Sequence, residues 1–164
     1  MSIAPLEIDF LVRSEIDAIG PSVDKLIQRI KDAHGILEKE SDIEIALFEA
    51  LANAVIHGNR EDASKQVHIR CRCQAGREVS IVVKDEGQGF DPSKVPDPRE
   101  NIEAEHGRGI LLMKTFMDDV HFEKGGTEVH MRKELRSITV IDRLKTFFEK
   151  CLSSLPPRKL KTLS

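Results

Sequence analysis

The chain has 164 residues, a formal net charge of -3, 40% hydrophobic residues and 32% charged residues. This length suits one packed domain, and the composition excludes a disordered or membrane-embedded protein. The slightly acidic balance gives no support for direct binding to nucleic acid or to a membrane, and the N-terminus shows no leader segment, so we expect a cytoplasmic protein.

The first half of the chain predicts, in order, a strand, two helices and a β-hairpin. Strands are indicated where apolar and polar residues alternate, and helices where apolar residues recur three and four positions apart. Because Ser41 precedes Glu44 by three positions, the second helix should begin at a capping box. Cys71 and Cys73 fall on one strand face, where we expect both to be buried. The predicted segments are a strand at 6–12, helices at about 21–34 and 41–58, and strands at 66–73 and 78–84.

The second half of the chain begins with a Pro-rich, charged segment at 91–106, which indicates a long loop because it cannot form a core element. The apolar run that follows predicts a helix of about three turns. A Gly-containing turn then joins two predicted strands at 120–122 and 128–132. We therefore expect one domain over 1–134 and a helical extension with a basic tail over 135–164.

The second predicted helix carries two polar residues in an otherwise apolar stretch. Within 45–56 the two exceptions are Glu49 and Asn53, and their spacing of four places them on one helix face. A carboxylate in such a helix is costly unless it is paired or hydrogen-bonded, so Glu49 is a candidate for a shielded site. The alternatives are a buried ion pair with a basic residue and a solvated helix edge.

A strand that runs directly into Asp85 provides the second candidate motif. The segment continues as Glu86-Gly87-Gln88-Gly89, which adds two spaced glycines to the carboxylate. The carboxylate can accept a hydrogen bond from an exocyclic amine such as that of adenine, and the glycines let the backbone approach a flat ring. Ordinary turns use the same residue types, so this motif is ambiguous when taken alone.

Two glycines at the start of a predicted helix form the third candidate motif, Gly107-Arg108-Gly109. A helix N-terminus offers free backbone N–H groups and the positive end of the helix dipole to a phosphate. The alternative is a flexible joint. The pattern is neither a Walker A loop nor the glycine motif of a Rossmann turn.

Together the three motifs resemble the boxes of the GHKL ATPase superfamily, with E-x-x-x-N at 49–53, D-x-G-x-G at 85–89 and G-x-G at 107–109. More narrowly, the phrases FEALANAVIHGN, VKDEGQGFDP and HGRGILLMKTFMDDV resemble the anti-sigma factor serine kinases of the RsbW and SpoIIAB type. The resemblance covers about 6–132. It implies an α+β fold of the Bergerat type, a two-layer α/β sandwich whose mixed, mostly antiparallel sheet has helices on one face, with 91–106 as a lid over ATP.

The resemblance also implies roles for individual residues. Asn53 would coordinate Mg²⁺ and Glu49 would be the general base. Asp85 would bind the adenine amine, with Thr127 supporting Asp85. The remaining nucleotide contacts would come from His57, Gly87, Gly89, Gly107, Arg108, Gly109 and Ile110. For His57 the alternative is a structural role at the helix end, and for Arg108 it is a solvated loop side chain.

The function that the resemblance implies is an ATP-dependent serine/threonine-protein kinase that phosphorylates a STAS-type anti-sigma factor antagonist and alternately sequesters a sigma factor. A PP2C-type phosphatase in the same circuit and a homodimeric kinase are further expectations. One alternative is a non-catalytic, ATP-dependent binding switch. A second is a histidine-kinase catalytic module, which is disfavoured because a helical dimerisation region with a phospho-acceptor histidine is absent. Apolar residues at helical spacing over 138–151 could cover the sheet, form a dimer or dock a partner.

Overall fold

A computed structural model of the protein describes residues 4–34, 39–74, 76–91, 94 and 107–135. These residues form five strands and three α-helices. The strands are Leu6–Arg13 (β1), Gln66–Gln74 (β2), Glu78–Lys84 (β3), Asp119–Glu123 (β4) and Glu128–Glu134 (β5). The helices are Ile19–His34 (α1), Glu40–Ala52 (α2) and Arg108–Phe116 (α3). Within the described ranges, no helix is long and apolar enough to cross a membrane.

The five strands form one sheet in the order β1-β2-β3-β5-β4, and all four pairings are antiparallel. Side chains on one face of this sheet turn towards the helices. One row of paired residues across that face consists of Ile8, Cys71, Ile81, Met131 and Val120. The first four of them are buried and the last is half-buried. The strands therefore alternate between one apolar face and one solvated face, as the sequence predicts.

The core lies between this apolar face and the helices. Leu26 and Ile30 of α1 and Leu47 and Leu51 of α2 all have 0% exposed surface. Burying a side chain of this size contributes about 1.5–3 kcal/mol to stability. The predicted α+β class, with helices packed on an antiparallel sheet, is confirmed. Burial of the two strand cysteines is confirmed as well.

The start of α2 differs from the prediction. The helix begins at Glu40, and Lys39, with a φ of 60°, occupies the N-cap position without a side-chain hydrogen bond to the helix. The predicted capping box of Ser41 and Glu44 is therefore wrong. Because the chain enters the helix through a left-handed residue, Ser41 already lies inside the first turn, and Glu40 is instead paired with Lys31 of α1 at 2.8 Å.

The end of α2 has a feature that the apolar pattern does not indicate. The helix continues to about the predicted residue, but Asn53–Gly58 is a π-helical segment. Its bonds reach one residue further than in an α-helix, as shown by the Asn59 N–H, which donates to the Ala54 carbonyl at 2.8 Å. Wide turns of this kind are frequent at functional sites.

Two predicted segments lie outside the described residues. Of the expected lid at 91–106, the structure describes Asp91 and Lys94. The expected extension over 135–164, including the helical pattern at 138–151, is described at Leu135 alone. The proposed division of the chain into 1–134 and 135–164 accordingly stays a prediction.

Candidate functional site

A cavity of about 490 Å³ opens between α2, the start of α3 and the β4–β5 hairpin. This volume is in the range of sites for small ligands and cofactors. All three sequence motifs and the hairpin contribute to its wall. The lining residues are Glu49, Ala50, Ala52, Asn53, Ala54, Ile56, His57, Gly58, Val83, Asp85, Gly89, Phe90, Gly107, Arg108, Gly109, Ile110, Met113, Phe122, Gly126, Thr127 and Val129.

The polar pair of α2 lies in the wall of this cavity. Glu49 and Asn53 are one helical turn apart and both are half-buried. The N–H of Asn53 donates to the carbonyls of Glu49 and Ala50, so helical spacing is kept at the point where the π-helical segment begins. Burial raises the pKa of the Glu49 carboxyl above its usual range. A carboxylate of this kind is a stronger base than an exposed one.

The N-terminus of α3 packs directly against that pair. A methyl group added at Gly109 would lie 2.8 Å from Oε2 of Glu49 and 3.3 Å from Oδ1 of Asn53. Gly107, with a φ of 98°, is the N-cap, and its carbonyl accepts the Leu111 N–H at 2.9 Å. The first backbone N–H groups of α3 are therefore held beside a carboxylate and an amide, and Gly109 keeps the intervening space open.

Asp85 is the second carboxyl group of the cavity and is buried, with 8% of its surface exposed. Burial raises its pKa, and a hydrogen bond from the Gly87 N–H to Oδ1 at 2.8 Å opposes that rise. Its own backbone N–H donates to the Thr127 carbonyl at 3.0 Å. This backbone contact joins the end of β3 to the hairpin, while the Thr127 hydroxyl donates to the Lys124 carbonyl at 3.1 Å, and support of Asp85 by the Thr127 side chain stays a prediction.

The glycines after Asp85 have different surroundings. Gly89 lines the cavity with a φ of 73°, and a side chain there would overlap the Gly125 carbonyl. Gly87 is not among the lining residues. A side chain at Gly87 would overlap the Gly58 carbonyl. Gly87 therefore packs against the end of the π-helical segment, where only a glycine fits.

The structure gathers nearly the whole predicted set around one cavity. Those that line it are Glu49, Asn53, His57, Asp85, Gly89, Gly107, Arg108, Gly109, Ile110 and Thr127. Gly87 is the exception. The side chains of His57 and Arg108 are exposed, which places them at the rim of the cavity. Val83, Phe122 and Val129 add an apolar wall that the motifs do not indicate.

Asn59 is a structural residue of the site that the motifs do not single out. It is completely buried, and its Oδ1 accepts the Glu86 N–H at 2.8 Å while its Nδ2 donates to the Gln66 carbonyl at 3.0 Å. It thereby ties the end of the π-helical segment to the loop that follows Asp85. The sequence signal is weak, since an Asn after His-Gly also suits an ordinary helix end.

Residues 15–133 match the family described as the histidine kinase-like ATPase domain. The chain belongs to this family. The predicted membership of the GHKL superfamily is thus confirmed, and ATP is the ligand that the family binds. An ATPase domain requires a site with both apolar and polar walls, and the cavity described above provides both.

Comparison with individual proteins shows more specifically which proteins this chain resembles. The chain is 34% identical over 143 residues to an anti-sigma F factor of Clostridium perfringens, which covers 80% of this chain and 97% of the relative. It is 29% identical over 147 residues to that of Clostridium novyi, covering 84% and 99%. The predicted resemblance to anti-sigma factors is therefore confirmed over almost the full length of these relatives.

One solved structure supports the fold of the family. The crystal structure of the RsbU and RsbW domains of a Mycobacterium tuberculosis protein aligns with a TM-score of 0.51 at 19% identity. The alignment covers 82% of this chain and 32% of that one. At this identity the similarity establishes the shared fold.

Proposed function

We propose that this chain is an ATP-dependent protein serine kinase that acts as an anti-sigma factor. The observation that carries the proposal is the convergence of Glu49, Asn53 and the N-terminus of α3 on one wall of the cavity. A carboxylate, an amide oxygen and a set of backbone N–H groups are the three kinds of group that phosphoryl transfer to a hydroxyl requires.

The adenine ring fits the part of the cavity near Asp85. Val83, Phe122 and Val129 offer an apolar wall to a flat ring, and Asp85 lines the same cavity. One of its lone-pair positions is taken by the Gly87 N–H, and others can accept the exocyclic amine of adenine. This arrangement favours the binding of ATP over that of a nucleotide whose ring carries a carbonyl oxygen in place of the exocyclic amine.

The phosphates fit beside the start of α3, where Gly109 faces Glu49 and Asn53. The N-terminus of α3 presents its first backbone N–H groups and the positive end of the helix dipole, with Arg108 close by at the rim. Asn53 suits a Mg²⁺ ion that is bridged to phosphate oxygens, because Mg²⁺ takes one or two protein oxygen ligands and completes its shell with phosphate and water. Bound there, the ion would offset negative charge on the phosphates.

Glu49 is the proposed general base. Its carboxylate takes the proton of the acceptor serine hydroxyl as the serine oxygen forms a bond to the γ-phosphorus. The bond from that phosphorus to the bridging oxygen breaks, and ADP leaves with the bonding electron pair. The raised pKa of Glu49 supports this role, because it increases the affinity of the carboxylate for the proton.

A sigma factor is the first proposed partner, because the relatives are named anti-sigma F factors. As an anti-sigma factor the chain binds a sigma factor in the cytoplasm. Its kinase activity acts on a STAS-type antagonist, which competes with the sigma factor for binding to this chain. A PP2C-type phosphatase that restores the antagonist and a homodimeric state complete the proposal. Light scattering on the purified chain measures the last point, and a monomeric mass would contradict it.

Phosphoryl transfer is the test of the proposal. The purified chain is incubated with Mg²⁺ and γ-labelled ATP together with the STAS-type protein encoded in the same genome, and label on a serine of that protein is the expected result. Glu49→Gln should lower the rate by about 10²- to 10⁴-fold, since general base catalysis contributes an effect of this size. Glu7→Gln, at an exposed position on β1, is the matched control for loss of a negative charge.

One outcome would contradict the kinase, and another would contradict Glu49 as its base. ATP binding without label on the antagonist would favour the non-catalytic switch, in which nucleotide alters a binding surface. Transfer that is unchanged in Glu49→Gln would exclude the proposed base while leaving the nucleotide site intact.

A further inference from the structure

The solvated face of the sheet carries a cluster of side chains that the nucleotide site does not use. His121 of β4 and His130 of β5 are directly paired across the two strands. Their imidazole rings stack, with centroids 4.9 Å apart and an interplanar angle of 11°. Because side chains alternate along a strand, the neighbours Phe122 and Val129 line the cavity while the two histidines lie on the opposite face.

Glu123 completes a group of three donors. It lies two residues after His121 and thus on the same face of β4. Its Oε1 is 3.6 Å from Nε2 of His121, and its Oε2 is 3.4 Å from Nε2 of His130. One donor atom from each of the three residues lies within 4.8 Å of the others.

These separations are close to those of a metal site. Zn²⁺ binds imidazole nitrogen and carboxylate oxygen at about 2.0–2.2 Å, so two ligands at a tetrahedral angle are about 3.4 Å apart. The two contacts of Glu123 are within a few tenths of an ångström of that spacing. Glu123 therefore approaches both imidazoles at nearly this spacing, through one oxygen to each, and all three donors lie within 4.8 Å of one another.

Further carboxylates contact both imidazoles, and the one beside His121 orients its ring. Nδ1 of His121 is 3.1 Å from Oδ2 of Asp119, so an N–H on Nδ1 donates to that carboxylate and leaves the Nε2 lone pair directed at an ion. The carboxylate of Glu128, 2% exposed, is 2.9 Å from Nε2 of His130, which is the same nitrogen that Glu123 approaches, so an ion bound there takes the place of the proton shared with Glu128. A second oxygen of Glu128 accepts from Lys124 at 2.7 Å. Three carboxylates thus surround the two imidazoles, and Lys124 together with Arg70, whose Nη2 is 3.7 Å from Oε1 of Glu128, offsets the charge of one of them.

We propose that His121, Glu123 and His130 form a binding site for a divalent transition-metal ion of the Zn²⁺ class. Two imidazoles and one carboxylate suit Zn²⁺, Cu²⁺ or Ni²⁺, whereas Mg²⁺ prefers oxygen ligands. Three protein ligands leave one position for water or for a donor from another molecule. The site is on the face of the hairpin opposite the nucleotide cavity, and it does not depend on the proposed kinase activity.

The test is a calorimetric titration of the metal-free full chain with ZnCl₂. The wild type should bind one zinc ion at this site, and the double variant His121→Gln/His130→Gln should bind it at least about tenfold more weakly. His68→Gln is the matched control, because His68 lies on the same sheet face with its Nε2 2.5 Å from Oδ1 of Asp9. That variant should bind zinc as the wild type does.

Three results would overturn the proposal: no zinc binding by the wild type, equal binding by the double variant, or an equal loss in His68→Gln. Circular dichroism and thermal unfolding without metal verify that the variants fold. If the double variant does not fold, Glu123→Gln alone replaces it, with the same expected loss. Co²⁺ spectra provide a second readout, since nitrogen and oxygen ligands give no thiolate-to-metal band, whereas such a band would assign the ion to a cysteine.

Discussion

The carboxyl group of Glu49 is half-buried and is therefore partly shielded from solvent. Burial raises the pKa of this carboxyl, so between its unfolded-state and folded-state pKa values the folded protein holds the proton more tightly. Stability therefore falls as the pH rises through that window and stays lowered above it. Such a residue is kept in an apolar helix at the expense of stability, as is common at functional sites.

The consequence is a pH-dependent effect of Glu49→Gln. The amide removes the cost of burying a charge, so the free energy of unfolding of the variant should equal or exceed that of the wild type at about pH 8, and the gain should shrink towards about pH 4. Urea unfolding at both pH values measures the difference. A variant that is less stable than the wild type at the higher pH would show that the charged form makes a stabilising contact.

Asn59 should stabilise the fold through the two backbone groups with which it forms hydrogen bonds. Asn59→Ala leaves the Glu86 N–H and the Gln66 carbonyl without their partner, and we expect a loss of about 2 kcal/mol in the free energy of unfolding. Urea unfolding measures the loss, with exposed Gln88→Ala as the control. An unchanged midpoint in Asn59→Ala would mean that water replaces both contacts.

The two strand cysteines should be chemically inert. Burial raises the pKa of Cys71 to about 12 and that of Cys73 to about 11, so very little thiolate forms at neutral pH. In a Cys151→Ser background, a thiol reagent should therefore react with the folded chain far more slowly than with the chain in denaturant. Reaction at equal rates would contradict the described burial.

At this scale the sequence predicts the residues whose chemistry conflicts with their surroundings. Glu49 and Asn53 are recognisable because they interrupt an apolar stretch, and Asp85 because a carboxylate ends a buried strand. Asn59 is different, since its contacts join segments that are apart in sequence. The role of Gly87 is equally hard to predict from the sequence, because its contact with Gly58 exists only in the folded chain.

Among the elements, the first turn of α3 is the part of the cavity that is most sensitive to added volume. A methyl group at Gly109 would lie 2.8 Å from the Glu49 carboxylate and would fill the space beside Asn53. We expect Gly109→Ala to weaken ATP binding at least about tenfold. Its stability should hold or rise, because Ala is a better helix former than Gly by about 0.8–1.0 kcal/mol.

Gly20 on α1 provides the matched control for this prediction. A methyl group there would meet nothing within 4 Å. Gly20→Ala should therefore gain stability without a change in ATP affinity, which calorimetry measures for both variants. Equal ATP affinities in Gly109→Ala and the wild type would contradict the proposed phosphate end of the cavity.

The elements themselves are largely predictable because each has a strong period. β2 and β3 match the predicted strands to within one residue, and the hairpin strands β4 and β5 extend the predicted ones by one or two residues at an end. The wrong predictions concern helix ends, because the spacing of apolar residues does not indicate where a helix begins or how it ends. Lys39 precedes α2 in a left-handed conformation, and the helix widens over Asn53–Gly58, and the apolar spacing indicates neither feature.

At the scale of the molecule, the three motifs and the β4–β5 hairpin act as one unit. Asp85 is fixed by the Thr127 carbonyl, and the loop after it is held by Asn59. Glu49 meets the start of α3 through the space at Gly109. No motif forms the cavity alone, which explains why each motif is ambiguous in the sequence and why their combination identifies an ATPase fold.

The most direct measurement of the central claim is a calorimetric comparison of ATP and GTP binding, in the presence of Mg²⁺, by the wild type and by Asp85→Asn. If the Asp85 carboxylate accepts the adenine amine, the wild type should bind ATP at least about tenfold more tightly than GTP, whose ring carries an acceptor at that position. Asp85→Asn should lose most of this preference. A wild type that binds both nucleotides equally, or an Asp85→Asn variant with the same preference, would contradict the assignment of this cavity to ATP.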